Sequence, residues 1–341
     1  MKAMLLCAGL GTRFKPQTEL AAKPALPFLG LPILSYPLYY LEKLGMQDLV
    51  VNSHHLPQTL NAAVQKLTKN KTYKTRVLFE KNILGSGGGI ANARSALEGK
   101  EDFLVANGDE VLLFSHDRGF APLLEFHKKS NALATLLTTQ HPQAGKTLGG
   151  VWVDSSGQIT ELGGTSPKPG AQHFTGVFAF SPRIFNYMPQ SGNFHIFKDC
   201  LHKAMAAKEK VQAFHDAELL WLDVTSLKDY IHSSGRALQE LQKESPFGKN
   251  LLALWKHYGV TCERKGDAQW LGKNASCAGK LKADSILFLS ENARIGADVE
   301  INGFAVLGPD AHFDQGYIES SVIGEGVHVH SLEAIRNQLI L

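Results

Sequence analysis

The chain has 341 residues, of which 44% are hydrophobic and 20% charged, so a sizeable core is expected and wholesale disorder is excluded. At roughly 100–200 residues per domain, that length allows two or three domains. Thirty-five lysines and arginines against 32 acidic residues leave a formal charge of +3, which offers no electrostatic case for nucleic acid or an acidic membrane.

Residues 2–7 are a short apolar run and read as a buried strand. Residues 32–44 have helical spacing, with Ile33, Leu34, Leu38, Leu41 and Leu44 on one face and Gly45 as the stop. A strand over 49–52, a helix over 56–67, a strand over 76–80 and a helix over 89–97 follow. The strand 102–105 runs into Asn107-Gly108-Asp109, and then come a helix over 122–130 and a strand over 134–139. This alternation predicts a layered α/β sheet, mostly parallel, with right-handed crossovers. From Leu148 the pattern changes to a hairpin over 151–162, a strand over 177–180, a helix over 196–208, a strand over 221–224 and a helix over 227–241. Ser245-Pro246-Phe247-Gly248 reads as a boundary, with a helical stretch over 251–257 beyond it.

The last segment repeats an aliphatic residue before a small or polar one: Ile295-Gly296, Ile301-Asn302, Leu307-Gly308 and Ile323-Gly324. A six-residue period with an inward aliphatic predicts a parallel β-helix, interrupted near residues 313–317; a β-meander with glycine turns is the alternative. The expected division is 1–243, a helical connector over 244–284, and a hexapeptide-repeat region over 285–341.

No apolar run approaches the ~20 residues of a membrane helix. Met1 to Gly9 is short and is followed at once by Arg13 and Lys15, so it reads as mature protein and not as a signal peptide. Cys7, Cys200, Cys262 and Cys277 form no C-x-x-C pair, which argues against a zinc knuckle or disulfide framework and makes a cytoplasmic location the expectation.

The strongest chemical signal is Leu6-Cys7-Ala8-Gly9-Leu10-Gly11-Thr12-Arg13, followed by Lys23-Pro24. Small residues after a buried strand let backbone N–H groups approach an anion, and two fixed cations bracket that nest, as a polyphosphate requires. A dinucleotide fingerprint would need a third glycine where Phe14 stands, and a P-loop would need a Gly-Lys-Ser/Thr ending that is absent here.

These residues resemble the signature of the sugar-1-phosphate nucleotidyltransferases, and the resemblance runs over residues 1–243. Leu84-Gly85-Ser86-Gly87-Gly88-Gly89 resembles the family's second glycine segment, which lies against the base. Asn107-Gly108-Asp109 resembles its metal-binding strand end, and Trp221-Leu222-Asp223-Val224 its second metal aspartate. The hexapeptide tail resembles the appendage of many members, including mannose-1-phosphate guanylyltransferases.

The fold implied is a Rossmann-like mixed, mostly parallel α/β sheet with a short C-terminal left-handed parallel β-helix. The reaction implied is attack by a sugar-1-phosphate oxygen on the α-phosphorus of a nucleoside triphosphate, with pyrophosphate leaving. Arg13, Lys23, Asp109 and Asp223 take the catalytic roles, and the two aspartates hold Mg²⁺ (or Mn²⁺), a metal of oxygen ligands and shared phosphates. Leu6, Ala8, Gly9, Gly11, Thr12, Arg13, Glu80, Gly87 and Gly88 are expected at the nucleotide. Gly150, Glu161, Thr175 and Gly176 are expected at the sugar phosphate. The attacking oxygen is already ionised, so no histidine is nominated. His54 and His55 read as loop or packing residues, because neighbours on a strand point to opposite faces.

The sequence departs from the family in three places. Glu161-Leu162-Gly163-Gly164 lacks the lysine that meets the sugar phosphate, leaving Lys168 or Lys146 as substitutes. Phe174-Thr175-Gly176 lacks the usual asparagine, which passes the sugar contact to Thr175. Asp223-Val224-Thr225-Ser226 lacks the usual glycine.

Glu80 has two readings: an acceptor for guanine N–H groups, which favours GTP, or a structural strand-end residue. The expected activity is mannose-1-phosphate guanylyltransferase-like. The alternatives are an N-acetylmuramate-1-phosphate uridylyltransferase, a non-catalytic nucleotide-sugar-binding regulator, and a hexapeptide acyltransferase using His312, His328 or His330. The expected partners are a nucleoside triphosphate and a sugar 1-phosphate, with a homo-oligomer formed through the tail.

Overall fold

Lys2–Leu6 forms strand β1, and its central residues Ala3, Met4 and Leu5 are fully buried. The computed structural model describes residues 1–330 and 334–341 and comprises two units, each discontinuous in sequence. The first holds Met1–Leu10, Tyr36–Leu112 and Asp117–Trp221; the second holds Gly11–Ser35, Leu113–His116 and Leu222–Leu341.

In the first unit the chain runs from β1 through helix α1 (Ser35–Lys43), β2 (Asp48–Ser53), α2 (Pro57–Thr68), β3 (Lys74–Phe79) and α3 (Gly85–Asn92) to β4 (Phe103–Asn107). β2 and β4 flank β1 in parallel, so that Leu6 lies opposite both Asn52 and Asn107, and β3 adds outside β2. β1, β2 and β4 are buried, as strands covered on both faces must be, and this explains their near-continuous apolar sequence. The outer β3 carries Lys74 and Arg76 on an exposed edge, where charge discourages further pairing. The chain moves outward from β1 to β3 and then returns to the far side of β1. The carboxyl ends of β1 and β4 therefore form a topological switch point, where open α/β sheets leave a crevice.

Beyond β5 (Val111–Phe114) and α4 (Ala121–Ser130), the unit adds β6 (Ala134–Thr139), β7 (Gly150–Val153), β8 (Ile159–Leu162), β9 (Gln172–Phe180) and β10 (Val211–His215). β9 runs antiparallel to β4, β6 and β7, and β10 runs parallel to β6, so the sheet is mixed, as the sequence predicted. Phe103, Phe180 and Phe185 knit its core, with Phe103 stacked on Phe185 at 5.5 Å.

Several elements differ from expectation. The helix expected over 89–97 begins four residues earlier, inside the glycine run. Glycine is a poor helix former, but a Cβ at Gly87 would strike the Phe194 ring and one at Gly88 the Gly192 carbonyl, so only glycine lets this turn pack so closely. The helix expected over 196–208 is a π-turn, Ile196–Leu201, followed by the short helix His202–Ala206. β5 and β10 were not anticipated: β5 directly follows the Asn107-Gly108-Asp109 motif, and β10 is interrupted by Gln212.

In the second unit, past β11 (Leu219–Leu222), the helices α5 (Leu227–Gln242) and α6 (Pro246–His257) are N-capped by Ser226 and Ser245, whose hydroxyls accept from Asp229 and Gly248 N–H. Buried Tyr230 donates to the Pro27 carbonyl at 2.5 Å and meets Phe14 and Phe28 edge-on at 5.5 Å. The Trp255 indole donates to the Leu29 carbonyl at 2.8 Å and stacks on Phe288 at 4.5 Å.

The strand-rich C-terminal part is a stack of parallel passes: Trp270 pairs with Phe288, Phe288 with Val306, Val306 with Val322, and Val322 with Leu339. Ile295, Ile301 and Leu307, the aliphatics of the six-residue pattern, are buried inside it. The stack starts at Gln269–Gly272, within the stretch expected as a connector.

Candidate active site

β2 and β4 close on polar residues, Asn52-Ser53 and Asn107, on either side of Leu6 at the end of β1. After β1, the buried Cys7 N–H donates to Asn52 Oδ1 at 2.7 Å. Asn52, at the end of β2, donates from Nδ2 to Glu80 Oε1 at 2.7 Å. Glu80 Oε2 accepts from the Leu84 N–H at 3.1 Å, at the entrance to α3, and the Glu80 carbonyl pairs with His54 Nδ1 at 2.8 Å. Glu80 is 2% exposed, and each of its carboxylate oxygens accepts one of these hydrogen bonds.

The Gly108 N–H donates to the Leu6 carbonyl at 2.9 Å, so the turn after β4 is held against the end of β1 and Asp109 follows it, half-buried. Burial first, and the negative charge of Asp109 second, push the Cys7 thiol well above its ordinary value. Gly176 adopts φ +84°, and a Cβ there would lie 2.7 Å from Glu110 Cγ and 2.9 Å from Asn107 Nδ2. Glu110 in turn accepts from Asn107 Nδ2 at 3.2 Å and from the Trp221 indole at 2.7 Å. The His173 ring lies 4.1 Å from that of Trp221, and His141 completes the cluster at 5.4 Å from His173. His173 is 8% exposed, and among the described residues neither ring nitrogen has a hydrogen-bond partner. Burial, then the neighbouring His141, lowers its pKa from 6.5 to about 4.

Of the sequence-predicted residues in this unit, Leu6, Ala8, Gly9, Glu80 and Asp109 lie on strand ends and turns, Gly87 and Gly88 in the first turn of α3, and Gly176 within β9 beside Asn107. Gly150 pairs with His173 on β9, while Glu161 lies one strand further out on β8. Thr175 corrects an expectation: it is wholly buried, and its hydroxyl donates to the Leu137 carbonyl at 3.0 Å, so its side chain joins β9 to β6 and offers nothing to a sugar. Lys146 donates to the Pro142 carbonyl at 2.9 Å, and Lys168 accepts the Trp152 indole at 3.1 Å through its carbonyl. Asn52, Glu110, Trp221 and His173 were not singled out for the site. Asn52 carried the signal that flagged Asp109, a polar residue closing an apolar strand.

In the second unit, residues 11–26 fold as three 3-10 turns. Thr18 Oγ1 donates to the Gly11 carbonyl at 3.0 Å, and Phe14 is buried as the anchor, leaving Thr12 and Arg13 exposed. Lys23 is 8% exposed. Asp223 is held from two sides: Oδ1 accepts from the Thr225 N–H at 2.8 Å, and its carbonyl accepts from Ser233 Oγ at 2.7 Å. Among the described residues, no group of three or more His, Cys, Asp or Glu is placed to hold a metal ion by itself, and no helix is long and apolar enough to cross a membrane.

Residues 2–240 match the family model described as Nucleotidyl transferase. The chain belongs to the nucleotidyl transferase family. The resemblance to its sugar-1-phosphate enzymes holds among curated relatives. The mannose-1-phosphate guanylyltransferase catalytic subunit beta of Dictyostelium discoideum is 30% identical over 253 residues, covering 72% of this chain and 67% of its own. The UTP–glucose-1-phosphate uridylyltransferase of Synechocystis is 25% identical and is aligned over 95% of this chain and 83% of its own. The fold of this nucleotidyltransferase is similar to that of HddC from Yersinia pseudotuberculosis, solved in complex with GMP-PN. The TM-score is 0.57 at 21% identity, with 69% of this chain and 98% of that one covered.

Proposed function

We propose that this nucleotidyltransferase joins a nucleoside triphosphate to a sugar 1-phosphate, with guanylyl transfer to mannose 1-phosphate as the leading pair. The observation that supports it best is the meeting, at one switch point, of the loop after β1, the glycine-rich start of α3 and the Asp109 end of β4. The names of the Dictyostelium and other guanylyltransferase relatives support the choice of substrates.

In this reading the glycine loop and Arg13 and Lys23 bind the triphosphate. A sugar-1-phosphate oxygen forms a bond to the α-phosphorus while the bond from that phosphorus to the bridging oxygen breaks, and pyrophosphate leaves with the electron pair. The nucleophile needs no base, so the chain's work is positioning and neutralising charge. Asp109 and Asp223 are the carboxylates assigned to Mg²⁺. Both are half-buried carboxylates, and their oxygen chemistry fits the ion. When bound, the ion neutralises phosphate charge.

The 95% coverage by the uridylyltransferase relative favours a second reading, uridylyl transfer to glucose 1-phosphate. Pyrophosphate release with Mg²⁺, measured over a grid of nucleoside triphosphates and sugar 1-phosphates, decides between them. One strong combination is expected, and Asp109→Ala should abolish it. Full activity in that variant removes the metal assignment, and a blank grid with tight nucleotide-sugar binding makes the protein a regulator.

A further inference from the structure

Cys7 and Asn52 are 45 positions apart and Asn52 and Glu80 are 28 apart, yet one buried hydrogen-bond chain joins them and ends on Leu84. The chain has a direction. The Cys7 N–H enters at Asn52 Oδ1, the Asn52 amide donates onward to Glu80 Oε1, and the Leu84 N–H enters from the other end at Glu80 Oε2. Every donor meets an acceptor only if position 52 supplies one of each and position 80 supplies two acceptors, which asparagine and glutamate do. Asn52 and Glu80 are each 2% exposed, so water cannot stand in for a lost partner. The body of α3 rests on the same pair, since a Cβ at Gly89 would lie 2.7 Å from Asn52 Nδ2 and 3.1 Å from Glu80 Oε1. The buried carboxylate sits at the N-terminal end of α3, where backbone N–H groups favour negative charge.

We propose that Asn52 and Glu80 are positioning residues for nucleotide binding: they hold the loop after β1 and the start of α3 at one fixed spacing, so that both glycine segments meet the triphosphate nucleotide together. This rests on the reading of those segments as the nucleotide site. Neither side chain touches the reacting atoms; each acts through the backbone it holds.

The polarity of the chain supplies the test. Asn52→Asp sets two carboxylates face to face, and Glu80→Gln points an amide NH₂ at an N–H donor. The double variant N52D/E80Q restores the pattern: the new carboxylate accepts from Cys7 and from the new amide, whose oxygen accepts from Leu84. Each single variant should raise the triphosphate KM by about tenfold or more while leaving the sugar-phosphate KM nearly unchanged, and the double should return it to within about threefold of wild type. Asn52→Ala, which deletes both bonds without adding charge, should raise the triphosphate KM in the same way and keeps the test alive if a single polar variant fails to fold. A folded double variant no better than its worse parent, or equal rises in both KM values, overturns the proposal. If the wild type turns over no substrate pair, the functional reading fails separately. GTP and UTP titration, with amide exchange at Cys7 and Leu84, then decides the tie: faster exchange in the singles and recovery in the double support it, and unchanged exchange refutes it.

Discussion

Replacing His173 by phenylalanine isolates the cost of keeping one imidazole neutral inside the sheet. The ring is 8% exposed, lies 4.1 Å from Trp221, and has no hydrogen-bond partner at either nitrogen among the described residues. A phenyl ring therefore forfeits no bond, and near neutral pH the variant should lie within about 1 kcal/mol of wild type. Acid separates the two proteins. Below 6.5 the unfolded chain takes up a proton at His173 that the folded chain refuses until about pH 4. The unfolded state then binds more protons, so wild-type stability falls as the pH falls through that window. Between about pH 7.5 and about pH 4.5 the loss at this residue is about 2–3 kcal/mol. His127, His195 and His215 also have lowered values, led by burial, and their shares remain in the variant, so only the difference between the two proteins reports His173. Urea unfolding at both pH values gives that difference. Parallel loss of stability in variant and wild type would show that His173 titrates normally and that the argument from burial is wrong.

Gly176→Ala forces an alanine into φ +84° and sets its Cβ against Glu110 and Asn107, so about 1–3 kcal/mol of stability should be lost; an unchanged urea midpoint would contradict the geometry. Iodoacetamide labelling with mass mapping should find Cys7 and Cys200 unmodified in the native protein. Both are buried, and burial lifts Cys200 to about 11 and Cys7 well above its ordinary value. Rapid native labelling of Cys7 would mean that the loop after β1 is open.

Much of the fold around the candidate site, and the family, was legible in contiguous sequence. The apolar runs before Cys7 and Asn107 announced the two strands whose ends form the switch point, and the motifs attached to them announced the family. The chemistry of those motifs is local, because a strand and the turn that follows it are read within a dozen residues. Tertiary structure decided what depended on partners remote in the chain. That Asn52 and the Leu84 amide would meet the two oxygens of Glu80 was not legible in the sequence. Thr175 was expected to face the sugar until Leu137 took its hydroxyl. The start of α3 ran against glycine's helix propensity, and it followed from how closely Phe194 and Gly192 approach. The Trp221 indole meets Glu110 across 111 positions, and no periodicity encodes such a pairing. The hydrophobic pattern determines which segments form strands and helices, whereas a buried polar group takes its role from whichever donor or acceptor folding brings within 3 Å.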